Sequence, residues 1–279
     1  MTGRVIIHDV GHGQAVHIFT PAGESIVIDL GCSQGFSPLS WLRGITDTID
    51  LLIVTHPHGD HIDEFLLLKA LKFTVRQFWR PKWLPREAVE KQNQASFTQK
   101  LNAYFEMSER FNVKLADNVV VGNPDVSGGM SVKVHSSSSC GTSNINNHSG
   151  VVVIDYANST IIVPGDNEPA SWRALNEQPG FVSAMSRADV FMASHHGRES
   201  GYFNEIFHRK PHLCVVSDGR VQDTNATPRY GYHAQGWVVH SRKGRDSQTR
   251  NCLTTRSNGH IEISTGFNDA APFLAVTAE

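Results

Sequence analysis

The chain is poor in cysteine. Its four, Cys32, Cys140, Cys214 and Cys252, lie far apart with no CxxC spacing, so neither a disulfide framework nor a zinc ribbon is indicated. It also lacks any apolar run approaching the roughly 18 residues of a membrane span. The opening stretch, Met1-Thr2-Gly3-Arg4-Val5-Ile6-Ile7-His8, has none of the three parts of a secretory signal and runs straight into a strand pattern. A soluble, cytoplasmic protein without a membrane partner is expected. Charge of one sign is missing too. A net charge of −2 and a pI near 6.7 give no global pull toward nucleic acid or anionic lipid, although a local basic groove can suffice for a nuclease. At 279 residues with 39% hydrophobic content, the chain can bury a substantial core as one domain.

What it does have is a concentration of metal-binding side chains. Residues 55–63 read Thr-His-Pro-His-Gly-Asp-His-Ile-Asp. Imidazoles and carboxylates this close repel or go unpaired unless a cation compensates them. The cluster follows the apolar run 49–54, which reads as a buried strand. Alternation puts His56 and His58 on one side, while Asp60 and His61 fall past the bend and can face a second ion. Asp166 ends another apolar run (Ile161-Ile162-Val163-Pro164-Gly165), and His195-His196 end a third (Val190-Phe191-Met192-Ala193-Ser194). Taken alone, Asp166 could be a helix cap or turn residue, and the His pair a surface loop. The shared grammar of strand then ligand predicts that all three ends meet on one rim of a sheet.

The motif His56-Pro57-His58-Gly59-Asp60-His61 is the HxHxDH pattern of the metallo-β-lactamase superfamily, and Gly165-Asp166 and the later histidines resemble its downstream ligand motifs. Five further stretches resemble the hydrolase domain of the bacterial DNA-uptake channel ComEC and its soluble relatives. They are Asp9-Val10-Gly11-His12-Gly13-Gln14-Ala15, Ile28-Asp29-Leu30-Gly31, Ser194-His195-His196-Gly197, Arg229-Tyr230-Gly231 and Cys252-Leu253-Thr254-Thr255-Arg256. This likeness implies an α/β fold, an αββα sandwich of two mixed β-sheets flanked by helices. It would form a single domain over residues 1–279 with a helical insertion near 64–115. The chain departs from those relatives at His12, where they carry Gln, at Gln14, where they carry Asp, at Arg198 after His-His-Gly, and at Tyr232-His233.

The resemblance implies two divalent ions, Zn²⁺ or Mn²⁺. Cysteine-free His/Asp ligation admits either, and the HxHxDH pattern argues against the superfamily's redox di-iron branch. Counting ligands gives one site of His56, His58 and His148, with His135 a weaker competitor for the last place. A second site holds Asp60, His61 and His195, and Asp166 bridges the two. A water shared by two cations would lose a proton near neutral pH and attack the substrate. Asp29 is expected to orient a ligating histidine. Asp60, His196 and His233 are expected to move protons or hold a substrate oxygen, and Arg198 and Tyr202 to touch substrate.

Phosphodiester cleavage, nuclease-like on DNA or RNA, is the leading expectation, and the expected partner is a nucleic acid or a small phosphodiester substrate. Hydrolysis of a carbon ester, lactone, thioester or small phosphoester is the second, and an inactive binding protein the third. Two basic stretches could contact phosphates: residues 76–86, which interleave Arg76, Arg80, Lys82 and Arg86 with aromatics, and residues 240–245 followed by Arg250. Each also reads as a solvated surface or edge strand.

For local structure, the sequence predicts a strand at 5–8, a hairpin of 16–19 with 25–28 around Pro21 and Gly23, and the start of a helix over 38–43. It predicts a helix over 62–73 whose N-terminus would favour anions, and the longest helix over 85–112 from apolar spacings of three and four. Strand character is expected at 119–121 and around Val132 and Val134, then a loop over 136–147 and a hairpin of 151–156 with 160–163.

Overall fold

The computed structural model describes residues 1–219, 225–244 and 246–279. The first sheet contains β1 (Thr2–Ile7), β2 (Val16–Phe19), β3 (Ser25–Ile28), β4 (Thr48–Ile53) and β5 (Thr74–Trp79). The second contains β6 (Ser131–His135), β7 (Val151–Tyr156), β8 (Ser159–Val163), β9 (Val190–Met192) and β10 (Leu213–Val216). From the C-terminal part, β11 (Trp237–Ser241), β12 (Ser247–Arg250), β14 (Ile261–Asn268) and β15 (Ala271–Ala278) join the first sheet, and β13 (Cys252–Thr254) joins the second. The orders are β12-β11-β15-β14-β1-β2-β3-β4-β5 and β13-β10-β9-β8-β7-β6. Both sheets are mixed: β3, β4 and β5 run parallel, as do β8, β9, β10 and β13, beside antiparallel neighbours.

Three apolar layers hold these sheets. Between them lies a core that includes Val5, Ile7, Ile18, Ile28, Ile53, Ile154, Val163 and Met192. Strand period two sends the alternate residues outward. Val27, Leu52 and Val54 of the first sheet pack against Leu39, Leu42, Phe65, Leu68 and Leu101 from three helices, and Val153, Ile162 and Phe191 of the second pack against Trp172, Leu175 and Phe181. The chain is an αββα sandwich, as the sequence predicted. Strands β4, β8 and β9, buried on both faces, read as nearly continuous apolar runs for that reason. Among the described residues, no helix is long and apolar enough to cross a membrane.

Several local expectations hold. The 16–19/25–28 hairpin pairs antiparallel, and helix α1 (Pro38–Arg43) starts where Ser37 caps Ser40 N and Pro38 occupies the first turn. The β7–β8 turn uses Ala157 and Asn158, both at positive φ, the conformation of a tight hairpin turn.

Others are corrected. The helix expected over 62–73 is only α2 (Phe65–Ala70). His61 O and Glu64 N are taken by Leu30 of the β3 loop at 2.8 and 3.0 Å, and Lys72 at φ 55° ends the helix. The metal-binding turn therefore opens onto a 3-10 turn, Gly59–His61, and not onto a helix N-terminus. The expected long helix is two, α3 (Arg86–Lys91) and α4 (Thr98–Arg110). Between them the side chains of Gln92 and Asn93 bond to Thr142 O, Ile145 N and Pro57 O, tertiary partners that end the first helix. Residues 119–121 are not a strand; a 3-10 turn spans Asp117–Val119. The insertion near 64–115 is interrupted by β5, which pairs with β4.

Candidate metal centre

The sequence folds locally so that three strand ends place their polar side chains against one another. After β4, Thr55-His56-Pro57-His58 leads into the 3-10 turn carrying Asp60 and His61. His56 and His61 are fully buried, His58 Nδ1 stands 2.9 Å from His56 Nε2, and the His56 and His61 rings are 4.2 Å apart. After β8, Gly165 turns the chain and Asp166 enters the same space, its N–H donating to Ser149 Oγ. After β9, His195, His196 and Gly197 all take positive φ, 50°, 55° and 77°. Two non-glycine residues in that region cost energy, and such strain clusters at functional sites.

Asp166 is the hub. Its Oδ1 is 3.4 Å from His61 Nε2, and its Oδ2 is 3.5 Å from His196 Nε2, 3.7 Å from His195 Nε2 and 3.9 Å from His56 Nε2. Two groups of three ligand-type side chains result, His56–His61–Asp166 and His12–Asp60–His196. Asp60 Oδ2 lies 3.3 Å from His12 Nε2 and 3.4 Å from His196 Nε2. The cluster floors a cleft of about 420 Å³ whose walls include His58, Phe97, Asn146, His195 and Arg198.

These residues fit a metal. His61 Nε2, His196 Nε2 and Asp166 Oδ1 are buried with no hydrogen-bond partner among the described residues, a cost folded proteins avoid unless something else satisfies the atoms. Electrostatics agree. Burial alone would raise the Asp166 pKa, but His196 and His61 outweigh it and hold the carboxyl well below its usual range. Burial opposes charge on His196, yet Asp166 and Asp60 push its pKa up to about 9. His56, where burial dominates, is held well below the ordinary imidazole value.

Asp29 orients this cluster from behind. Fully buried at φ 59°, it accepts from Thr55 N and Thr55 Oγ1 at 2.7 Å, from Gln14 Nε2 at 2.8 Å and from His61 Nδ1 at 2.7 Å. Holding Nδ1 leaves His61 Nε2 aimed at Asp166. Asp29→Asn is expected to weaken metal retention by about 10–100-fold, the scale for losing such a partner, as read by titration against a chelator.

A family model described as "Metallo-beta-lactamase superfamily" matches residues 9–133. The metallo-β-lactamase fold protein YhfI from Bacillus subtilis superposes with a TM-score of 0.50 at 12% identity, covering 94% of this chain and 99% of that one. The chain has the metallo-β-lactamase fold. A curated protein named UPF0173 metal-dependent hydrolase, from Roseiflexus sp. (strain RS-1), is 30% identical over 92 residues. That match covers 32% of this chain and 37% of the relative, so it spans little more than a third of the relative's length.

Within this fold the predicted residues sort as follows. His56, His58, Asp60, His61, Asp166, His195 and His196 converge, and Asp29 stands behind them. Both histidines after β9 reach Asp166, with His196 Nε2 3.5 Å and His195 Nε2 3.7 Å from its Oδ2. His196 reaches both Asp60 and Asp166, with Nδ1 3.1 Å from Ser217 O. His195 faces the cleft, its Nδ1 3.2 Å from Glu168 Oε1 and 2.9 Å from Ser200 Oγ. Successive left-handed residues, not strand alternation, set the two rings apart. His61 sits with His56, not with a separate second set.

His148 is not brought to the cluster. The 3-10 turn Ile145–His148 directs its ring to Trp83, whose Nε1 donates to His148 Nδ1 at 2.9 Å. His135 lies over Phe181 instead. His233 and Tyr202 bond to each other at 2.7 Å, and His233 stacks 4.0 Å from Phe207. This packing against the outer layer of the second sheet takes both away from the cleft, while Arg198 lines it. Several cations of the two basic stretches are engaged within the fold. Arg76 pairs with Asp50, and Arg86 with Glu90. Arg80 is buried and donates to Ser108 and Phe111 O. Arg242 and Lys243 pair with Glu262 and Glu279 beside the far edge of the first sheet, and Arg245 lies outside the described residues. Sequence reasoning missed His12 and Glu168 as neighbours of the cluster. The signal for His12 was its place in a glycine-rich loop that directly follows β1.

Proposed function

We propose that the chain is a metal-dependent hydrolase that holds two divalent ions, Zn²⁺ or Mn²⁺, and cleaves a phosphodiester. The observation that carries this reading is Asp166, whose two oxygens face His61 on one side and His196 on the other, the arrangement of a carboxylate shared by two centres. His56, His58 and His61 would hold one ion, and Asp60 and His196 the other. Bound there, the pair would activate a water and neutralise charge developing on the substrate. The name of the Roseiflexus relative, a metal-dependent hydrolase, supports the general class, and the ComEC-like stretches support the phosphodiester.

The chain's own groups then bind and orient. Arg198 and His195 line one wall of the cleft, and the Arg198 guanidinium can hold an anionic oxygen of the substrate. Glu168 fixes the His195 ring through Nδ1, leaving Nε2 toward Asp166 and Arg198. Arg198 is the one guanidinium or ammonium group lining the cleft among the described residues, so a small phosphodiester suits it better than a long polyanion. The test is turnover with Mn²⁺ or Zn²⁺ of bis-p-nitrophenyl phosphate, labelled single-stranded DNA, labelled RNA and a lactone. Cleavage of the first is expected, with nucleic acid slower. Cleavage of the lactone alone would replace the phosphodiester reading with the carbon-ester one.

A further inference from the structure

His12 is one of the positions in the cluster where the chain departs from the relatives it resembles, and its position is built. The loop carrying it leaves β1 and folds over the metal-binding turn, with Gln14 N donating to Asp60 O and Gly31 N donating to Gln14 O. Gly13, at φ +123°, approaches so closely that a Cβ there would stand 2.5 Å from Asp60 O. From the other side, a Cβ on Gly219 would stand 2.3 Å from the Gly11 carbonyl carbon and 2.7 Å from His12 N. Two glycines thus clear the space that lets this loop reach Asp60.

The approach sets His12 Nε2 3.3 Å from Asp60 Oδ2, which is itself 3.4 Å from His196 Nε2. Ligand atoms around a tetrahedral ion with bonds of about 2.0–2.2 Å are separated by roughly 3.3–3.6 Å. All three atoms lie within 4.8 Å of one another, and the His12 and His196 rings are 4.9 Å apart. Without His12, the second centre would have Asp60, His196 and a share of Asp166, two carboxylates to one imidazole.

We propose that His12 is a protein ligand of the second metal centre, giving it His12, Asp60 and His196 beside the shared Asp166. The inference rests on the reading that the cluster holds two ions. A second imidazole moves this centre toward Zn²⁺, because imidazole suits Zn²⁺ while carboxylate and water suit Mn²⁺.

The test compares wild type with His12→Gln, both loaded with Zn²⁺, dialysed and analysed for metal per chain. Wild type is expected to retain about two ions and the variant about one, with the second bound at least about 100-fold more weakly in calorimetry. His12→Cys, which restores a ligand atom, should recover the second ion. His12→Gln holding both ions as tightly as wild type would overturn the proposal, and would leave His12 as a seat for Arg198, whose Nη2 is 3.5 Å from the same nitrogen. If wild type retains no ion, the two-metal reading itself fails. Histidine ¹⁵N spectra of wild type give a check that needs no variant. The His12 ring nitrogen must shift on addition of the second equivalent of Zn²⁺, and an unchanged resonance sinks the assignment.

Discussion

Asp166→Ala is expected to abolish turnover and metal retention together while leaving the sandwich folded. The carboxylate lies between four imidazoles, 3.4 to 3.9 Å from those of His61, His196, His195 and His56. Loss of one preorganised electrostatic partner typically costs about 10²–10³ in rate, and a group shared by two centres should cost more. The fold survives because Asp166 sits at a strand end, outside the apolar layers. The histidines it leaves behind can also lose their protons, unlike an abandoned guanidinium. Metal content, turnover of bis-p-nitrophenyl phosphate and thermal unfolding of the metal-free form would be measured side by side. Activity persisting within about tenfold of wild type would show that the reacting centre lies elsewhere.

How far the sequence could be read depended on where the determining interaction lay. The β2–β3 hairpin and helix α1 were legible because their causes are local, a Pro/Gly turn in one and Ser37 with Pro38 in the other. The break between α3 and α4 was not, because Gln92 and Asn93 find their partners at Thr142, Ile145 and Pro57, and apolar periodicity is blind to such contacts. β5 was missed for a related reason. Thr74-Val75-Arg76-Gln77-Phe78-Trp79 alternates weakly and becomes a strand by pairing with β4.

The metal cluster was legible as a set because each ligand follows an apolar run, but its internal arrangement was not. Which of His195 and His196 turns inward is decided by three successive left-handed residues, and only Gly197 hints at them in the sequence. His148 stood before a strand in the expected place, yet Trp83 captures its ring. His12 obeyed the same strand-then-ligand grammar one glycine-rich loop later, and was read only as a departure from relatives.

The second large effect is on stability. Metal-free protein is expected to lose about 4 kcal/mol between pH 7.5 and pH 5 through His8 and His17. These two are 2% and 0% exposed, with His8 Nε2 3.2 Å from His17 Nδ1 and their other ring nitrogens buried without partners among the described residues. Phe36, Trp41 and His260 enclose His8 at ring distances of 5.0 to 5.3 Å, and Trp41 stacks on His17 at 5.4 Å. Burial, reinforced by His17, His260 and Arg242, lowers the His8 pKa to about 2, and burial lowers that of His17 to about 3. Both remain neutral in the fold while the unfolded chain takes up protons below about pH 6.5. Their contribution is complete above that value and falls with pH by about 1.4 kcal/mol per unit for each ring. The loss is large against the 5–15 kcal/mol typical of whole domains. His61 and His196, with raised pKa values, add stability as pH falls toward 6.5. They are protonated in both states below it, so they do not mask the effect there. Their cluster mate His56 has a lowered pKa and adds its own acid sensitivity, which is why the comparison must be made against a variant. In His17→Phe, which keeps a ring against Trp41, urea midpoints at pH 7.5, 6 and 5 should show about 2 kcal/mol less acid loss than wild type. Equal losses in the two proteins would mean that His17 is protonated inside the fold, and that the buried pair does not set its acid limit.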